Sequence, residues 1–298
     1  MGCSNGENRP SDLGQDAPGD ASPTRDLDLD GAPETSGDTL VDGVLAEGLP
    51  DLTPDLTPDL PPEPLRVATL NAYCFNNGPE KRIAGIADEV LQRGITVLGL
   101  QEVCQTAGDG SDNVAARLVL ALEQRSGDAW EYRWTRTHLA WDKYDEGLAI
   151  VARKGAILAS GEITLPQGDG FFPRKVLWGE LDEGDSRFLF YVTHLTISET
   201  AEDRTAQAQA ISGLLVSHQA RHLPRVVVGD FNDVQQSDAI SAMLAGPPTM
   251  LDTFRVASPS DPGSTCCAPN FSIRIDYIFA EAVAFVVNTT EVAFTGGL

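Results

Sequence analysis

Two polar residues follow an apolar run in the second half of the chain. Asp230 and Asn232 lie two positions apart just after residues 225–228, so an extended backbone would point both side chains in the same direction. An aspartate can accept a proton or hold a hard cation, and an asparagine amide can donate a hydrogen bond to an anionic oxygen. This combination suits phosphoester chemistry. Taken alone, the pair is equally typical of a turn, because Asp and Asn are common turn residues.

Four other β-rich segments carry a polar group at or near their ends. Strands of α/β and α+β folds direct such groups into a crevice at the edge of a sheet, where they can share a site. The groups are Asn71 after residues 66–70, Glu102 after residues 96–101, His194 after residues 188–193, and Asp276 within residues 274–279.

Apolar periodicity predicts strands interleaved with helices. Many strands are apolar on both faces, which indicates two packed sheets with helices outside. The predicted helices cover residues 80–93, 112–126, 200–220 and 236–244. The predicted strands cover residues 66–72, 96–101, 131–136, 147–152, 157–163, 175–182, 187–194, 225–229, 275–280 and 284–293.

Six motifs occur along the chain in the order TLNAY, LGLQEV, EGLAIVAR, VTHL, GDFND and RIDYIF. In their order and rough spacing they resemble the endonuclease/exonuclease/phosphatase superfamily. These metal-dependent phosphohydrolases include DNase I-like nucleases, AP endonucleases, sphingomyelinases and inositol-polyphosphate phosphatases. The resemblance covers about residues 65–298. It implies a DNase I-like fold of the α/β class, a four-layer α/β/β/α sandwich of two packed mixed sheets with outer helices.

The resemblance implies a role for each site residue. Glu102, with Asn71 beside it, would hold Mg²⁺, which prefers few protein oxygens and keeps several waters; Mn²⁺ is the alternative ion. Asp230 would orient or deprotonate the attacking water, and Asn232 would hold the phosphate. His194 would contact the phosphate or assist the leaving group, with both protonation states accessible near neutrality.

Three further residues are candidates for contact with the substrate. His138 and Tyr144 lie upstream of the EGLAI motif, in a segment that often lines the cleft in the family. Arg174 could supply positive charge to a phosphate, although a solvated strand edge explains this residue equally well.

The resemblance is incomplete at the C-terminus. Family sequences end in a Ser-Asp-His motif with a catalytic His and one more strand, whereas this chain ends at residues 294–298, about where the motif would begin. The expected sandwich therefore lacks its last strand. Asp276 belongs to the expected catalytic set and pairs with that His in the family. Among the other histidines, His138 is the candidate substitute.

The functional prediction is a Mg²⁺-dependent phosphoesterase. The expected reaction is hydrolysis of phosphodiester bonds, in nucleic acid or a phospholipid head group, by metal-assisted attack of water. A small phosphate ester is a third substrate class, and no protein partner is implied. The alternative is a catalytically impaired or truncated pseudoenzyme that binds phosphate-bearing ligands.

The first 64 residues differ in composition from the rest of the 298-residue chain. They contain no aromatic residue, and 15 acidic against 2 basic residues give them a net charge of −13, compared with −10 for residues 65–298. Such a segment cannot bury enough apolar area to offset the entropy of ordering, so we expect a disordered, acidic, Pro- and Asp-rich spacer. No long Lys/Arg cluster appears, which disfavours extensive contact with nucleic acid.

The extreme N-terminus allows two interpretations. Cys3 is followed by a long polar tail, which resembles the mature start of a bacterial lipoprotein. In that case Cys3 would be a membrane tether, and the protein would be exported to the cell envelope or secreted. If Met1 is the genuine start, Cys3 is an exposed thiol and the protein is cytoplasmic.

The five cysteines leave the redox state open. Cys74 and Cys104 each follow a predicted strand end by a few residues, in loops that we expect to be neighbours. A disulfide between them and a pair of unpaired thiols are both consistent with this spacing. Cys266 and Cys267 are adjacent, and no cysteine spacing matches a zinc site.

Overall fold

The computed structural model of the chain describes residues 64–74, 79–168, 172–184, 186–197, 200–266 and 271–294. The predicted acidic spacer, apart from its last residue, and Cys3 lie outside this part of the chain. None of the described helices is long and apolar enough to cross a membrane.

Ten strands and five α-helices are formed by the described residues. The strands are β1 (Val67–Asn71), β2 (Val97–Thr106), β3 (Trp130–Ala140), β4 (Tyr144–Arg153), β5 (Ile157–Thr164), β6 (Lys175–Glu183), β7 (Ser186–His194), β8 (Arg225–Asp230), β9 (Met250–Asp252) and β10 (Asp276–Glu281). The helices are α1 (Pro79–Gln92), α2 (Val114–Ser126), α3 (Ala201–Ser217), α4 (Asp238–Ala245) and α5 (Thr253–Ala257).

The strands form two mixed sheets. One sheet has the strand order β1-β2-β4-β3 and the other has the order β5-β6-β7-β8-β10-β9. The pairs β1–β2 and β7–β8 are parallel, and the remaining pairs are antiparallel. Parallel neighbours need a crossover connection, which α1 and α3 provide.

Three apolar clusters fill the spaces between the layers of sheets and helices. One cluster contains residues of both sheets and lies between them. A second joins α1 and α2 to the first sheet, and a third joins α3 and α4 to the second sheet. Strand β8 shows why a strand apolar on both faces is needed, because Val226 and Val228 pack between the sheets while Val227 packs under the helices. The layers therefore form the four-layer DNase I-like sandwich, as expected from the sequence.

The two sheets approach each other closely at Gly99 in β2. A Cβ atom at this position would lie 2.5 Å from Val228 Cγ2 and 2.9 Å from Val192 Cγ2, both in the second sheet. Glycine is therefore required here by lack of space rather than by backbone conformation, and its absence of a side chain fixes the separation of the sheets near the site.

One predicted strand is wrong. Residues 284–293 are rich in β-branched side chains, but the described segment from 282 to 294 contains no strand. It runs across the surface instead, where Glu291 forms an ion pair with Arg93 and Phe294 packs against the cluster under α1 and α2. High β propensity gives a strand only where a neighbouring strand accepts its hydrogen bonds. Conversely, the short β9 and α5 were not predicted.

Candidate active site

Three polar residues lie side by side on neighbouring strands of the second sheet. Asp230 at the end of β8 is in register with His194 at the end of β7 and with Asp276 at the start of β10. The His194 Nε2 atom is 3.8 Å from Asp230 Oδ2, and both side chains are buried. Antiparallel pairing with β10 thus brings together residues that are far apart in sequence.

The first sheet contributes Asn71 and Glu102 to the same place. Asn71 Nδ2 donates hydrogen bonds to Glu102 Oε1 at 2.8 Å and to Asp230 Oδ2 at 3.3 Å. The backbone N–H of Tyr73 donates to Asn71 Oδ1 at 2.9 Å, which fixes the orientation of the amide. A single asparagine side chain therefore links the two sheets at the site.

Glu102 faces the site because β2 contains a bulge. Leu100 pairs with Ala149 and Val103 with Gly147, so two residues of β2 oppose one residue of β4. Leu100 and Val103 both pack under the helices, which shows that the extra residue shifts the alternation by one position. In a regular strand Glu102 would face the helices. Its φ of 51° marks the same irregularity.

Asn232 lies in the turn after β8. Its backbone N–H donates to Asp230 Oδ1 at 2.9 Å, and its Nδ2 donates to the carbonyl of Leu195 at 3.0 Å. Its φ of 49° is in the left-handed region, which asparagine tolerates better than most residues. The turn therefore holds the Asp230 carboxylate in place and ties it to the segment after β7.

A second bulge, between Arg136 and His138 in β3, turns His138 towards the same end of the sheets. His138 Nε2 is 3.6 Å from Glu146 Oε1, and its ring stacks on Phe172 with 4.2 Å between ring centres. Glu146 was missed as a site residue, although it begins the EGLAI motif.

Arg174 is buried beside the carboxylates rather than on a solvated strand edge. Only 4% of its surface is exposed, and the charges of Glu146, Asp230 and Glu102 act on its guanidinium. Its Nε atom has no hydrogen-bond partner among the described residues. This buried cation with a free donor is suited to an anionic ligand.

Tyr144 lies at the end of the β3–β4 hairpin, in register with Ala140. Its ring packs edge-on against Trp141, with 6.2 Å between centroids, and Lys143 Nζ is 4.8 Å from the ring centroid. The structure thus places Tyr144 at the first residue of β4, beside the hairpin turn, whereas His138 lies in the bulged part of β3.

A model of the endonuclease/exonuclease/phosphatase family matches residues 68–296. The chain belongs to this family. Its members are hydrolases that act on phosphoester bonds and generally use divalent metal ions. No functionally curated protein matches the sequence significantly.

Solved structures of family proteins share the fold. An endonuclease/exonuclease/phosphatase family protein from Leptotrichia buccalis C-1013-b superposes with a TM-score of 0.60 at 20% identity, covering 73% of this chain and 88% of that chain. The mannosyl-6-phosphatase of Bacteroides thetaiotaomicron VPI-5482 gives 0.57 at 21% identity, covering 74% and 86%. The human Nocturnin catalytic domain with a bound sulfate anion gives 0.57 at 20% identity, covering 74% and 82%.

The three carboxyl groups of the site have raised pKa values. Burial raises the pKa of Asp230 well above its ordinary value, and the nearby Asp276 raises it further. Burial likewise raises the pKa of Asp276 to about 6 and raises the pKa of Glu102. The three groups crowd negative charge into a buried space, so a cation among them would favour their ionised forms.

Both histidines of the site are held neutral. Burial lowers the pKa of His138 to about 4 and lowers the pKa of His194 well below its ordinary value, and the charge of Arg174 acts in the same direction. The neutral form of His194 is therefore favoured near pH 7, in place of the two accessible forms expected from the sequence. A neutral imidazole offers one N–H donor and one acceptor nitrogen.

The donor set fits a hard divalent cation. The carboxylate oxygens of Glu102 and Asp230 converge on the Asn71 amide group, and carboxylate oxygens are ligands that Mg²⁺ prefers. A different group, Cys74, Cys104 and Glu146, has ligand atoms within 4.8 Å of one another. Its two sulfurs form a disulfide, so they are not available as thiolate ligands.

Two supporting residues were not predicted from the sequence. Arg82 in α1 donates from Nε to the carbonyl of Ala72 at 2.8 Å and from Nη2 to that of Asn71 at 2.9 Å, and so holds the end of β1. Thr265 Oγ1 accepts the backbone N–H of Asp276 at 3.2 Å. An arginine on a helix and a threonine in a loop carry no sequence signal that distinguishes them from surface residues.

Proposed function

We propose that this chain is a Mg²⁺-dependent phosphodiesterase that cleaves its substrate by attack of water. The observation that carries the proposal is the hydrogen-bonded group of Asn71, Glu102 and Asp230, which joins the two sheets beside His194 and Asp276. Carboxylates, a fixed amide and a neutral imidazole in one buried cleft supply the groups that phosphoester hydrolysis needs.

Glu102 and Asn71 would hold the Mg²⁺ ion. When bound, the ion polarises a phosphoryl oxygen and stabilises the leaving oxyanion. The Asn71 amide presents Nδ2 to Glu102 and Asp230 and Oδ1 to the Tyr73 N–H, so coordination by Asn71 requires its amide to rotate and bring Oδ1 towards the carboxylates.

Asp230 would orient the attacking water and take its proton on a carboxylate oxygen. The bound cation would favour the ionised form of Asp230, which is the form that can accept a proton. The Asn232 N–H already occupies Oδ1, which leaves Oδ2 beside Asn71 and His194 as the oxygen that faces the reacting water. Asp276, next to it in register, would share the proton.

Neutral His194 would donate a hydrogen bond to a phosphoryl oxygen, and Asn232 would hold a second one. On the other side of the cleft, Arg174 and His138 would contact the other phosphoryl oxygens. The free Nε donor of Arg174 supports this role. The sulfate bound to the structurally similar Nocturnin domain is likewise a tetrahedral oxyanion.

The substrate class proposed is a phosphodiester of nucleic acid or of a phospholipid head group. Because the structurally similar mannosyl-6-phosphatase is named for a phosphatase activity, a phosphomonoester is the alternative substrate to test. Outside the described residues, Cys3 would tether an exported protein to the membrane, and this localisation is part of the same proposal.

The test is hydrolysis of bis-p-nitrophenyl phosphate and of p-nitrophenyl phosphate by the full chain, with Mg²⁺, with Mn²⁺ and with chelator. We expect metal-dependent cleavage of the diester, and a loss of at least about 100-fold in kcat for Asp230→Asn. Glu162→Gln, which removes a carboxylate paired with Lys175 away from the cleft, is the control and should keep full activity.

Two outcomes would change the proposal. Faster cleavage of the monoester would reassign the chain to the phosphatases. Binding of inorganic phosphate by the folded protein without cleavage of either ester, at any metal concentration, would favour the pseudoenzyme alternative.

A further inference from the structure

The Cys74–Cys104 disulfide joins the two chain segments that carry Asn71 and Glu102. Cys74 comes three residues after Asn71, and Cys104 comes two residues after Glu102. The Cα atoms of the cysteines are 5.1 Å apart, and both side chains are buried. The crosslink therefore ties the end of β1 to the bulged part of β2, next to two residues that are hydrogen-bonded to each other.

Both segments have an unfavourable backbone conformation. The φ angle is 57° at Tyr73, 44° at Cys74 and 51° at Glu102, in the left-handed region that non-glycine residues rarely adopt. Such conformations persist only where the surrounding structure enforces them. The Cys74 N–H donates to the Glu102 carbonyl at 3.0 Å, so the disulfide and this backbone bond enforce the same geometry.

The disulfide also borders the phosphate side of the cleft. Glu146 has a carboxylate oxygen within 4.8 Å of both sulfurs and lies 3.6 Å from His138 Nε2. Bonded sulfurs are about 2 Å apart, and two free thiols need nearly twice that distance. Because the sulfurs are buried, breaking the bond would push the two segments apart rather than leave them in place.

We propose that Cys74 and Cys104 are positioning residues for the cation site, so that affinity for a divalent cation depends on the redox state of this disulfide. The inference rests on the proposed function only in that Asn71 and Glu102 hold the cation. In the reduction, a dithiol gives two electrons and two protons; the sulfur–sulfur bond breaks, two thiols form, and the dithiol closes into its own disulfide. Cation binding must then also order two loosened segments, which weakens it.

The test measures Mn²⁺ binding to the full chain, without substrate, by electron paramagnetic resonance and by calorimetry. We expect the Kd for Mn²⁺ to rise at least tenfold in the Cys74→Ser/Cys104→Ser variant and in wild-type protein treated with dithiothreitol. Reoxidation of the wild type should restore the lower Kd. In the reduced wild type, amide hydrogen exchange at residues 72 and 74 should accelerate, because their N–H groups donate between the two segments.

The matched control is the double variant with and without dithiothreitol. It has no bond between residues 74 and 104, so any effect of the reductant on its Kd comes from the remaining disulfide of Cys266, and we expect no change. An unchanged Kd in reduced, folded wild-type protein would overturn the inference, even if its melting temperature falls. If the serine pair does not fold, Cys74→Ala with Cys104→Val replaces it. Redox-dependent Mn²⁺ binding without ester hydrolysis would refute the proposed enzyme alone, whereas hydrolysis with redox-independent Mn²⁺ binding would refute this inference alone.

Discussion

Asn71 occupies a position where only a neutral amide satisfies its neighbours. Its Nδ2 donates to two carboxylates from different sheets, and its Oδ1 accepts a backbone N–H. Asparagine offers a donor for the two carboxylates and an acceptor for the backbone N–H. Ionised aspartate offers acceptors only.

Asn71→Asp should therefore destabilise the protein. The change replaces a donor by a third carboxylate beside Glu102 and Asp230, so we expect the free energy of unfolding to fall by about 1–3 kcal/mol in chelator. Mg²⁺ should recover part of this loss, because the added carboxylate binds the cation. The control is Asn288→Asp, which makes the same substitution at an exposed asparagine. Urea unfolding with and without Mg²⁺ measures both.

Glu183 makes stability depend on pH. Burial raises its pKa to about 7, above the ordinary glutamate value. Below pH 4.5 the group is protonated in the folded and the unfolded states, and it costs nothing. As the pH rises towards 7 the unfolded state loses its proton first, so the folded state becomes relatively less stable, with the full cost above pH 7.

The expected result for Glu183→Gln is a gain in the free energy of unfolding of about 1 kcal/mol at pH 8, after allowance for solvent screening of a half-buried group. At about pH 3, where Glu183 is protonated in both the folded and the unfolded states, the variant should equal the wild type. Thermal unfolding of both proteins at the two pH values measures this difference. An equal gain in stability at both pH values would contradict the raised pKa of Glu183 as its cause.

At the scale of elements, apolar runs predicted β1, β7 and β8 closely and so identified the residues at their ends. The bulge that turns Glu102 towards Asp230 was not predictable, because it depends on how β2 pairs with β4, which no local pattern encodes. The same reason explains residues 284–293, whose β propensity finds no partner strand in the described part of the chain. The types of the site residues were thus predictable, and their supporting contacts were not.

Gly99→Ala should separate the two sheets. The added methyl group would meet Val228 and Val192 inside van der Waals distance, and overpacking of this kind costs about 1–3 kcal/mol of stability. Gly213→Ala in α3 is the matched control, because a Cβ there meets nothing within 4 Å and alanine in a helix gains about 0.5–1 kcal/mol. We expect the denaturant midpoint to fall in Gly99→Ala and to rise in Gly213→Ala, relative to wild type. A lower midpoint in both variants would contradict this expectation.

For the molecule as a whole, we expect the acidic first segment to be separable from the sandwich. The composition of this segment does not let it bury a core of its own, so deletion of residues 1–63 should leave the melting temperature unchanged. The deletion also removes a net charge of −13. At low salt it should raise kcat/KM for a DNA substrate and not for a small diester, because only the polyanion is repelled over a long range.

The bulge in β2 means that the active site is encoded partly in the number of residues and not only in their identities. A one-residue insertion in β4 next to Leu148, opposite the bulge, would keep every ligand type in the chain and yet let β2 pair regularly, which would turn Glu102 into the layer beneath the helices. A comparison that checks only whether the ligand residues are present would score such a chain as intact. Transfer of this site to another scaffold must therefore copy the irregular strand as well as the side chains it presents.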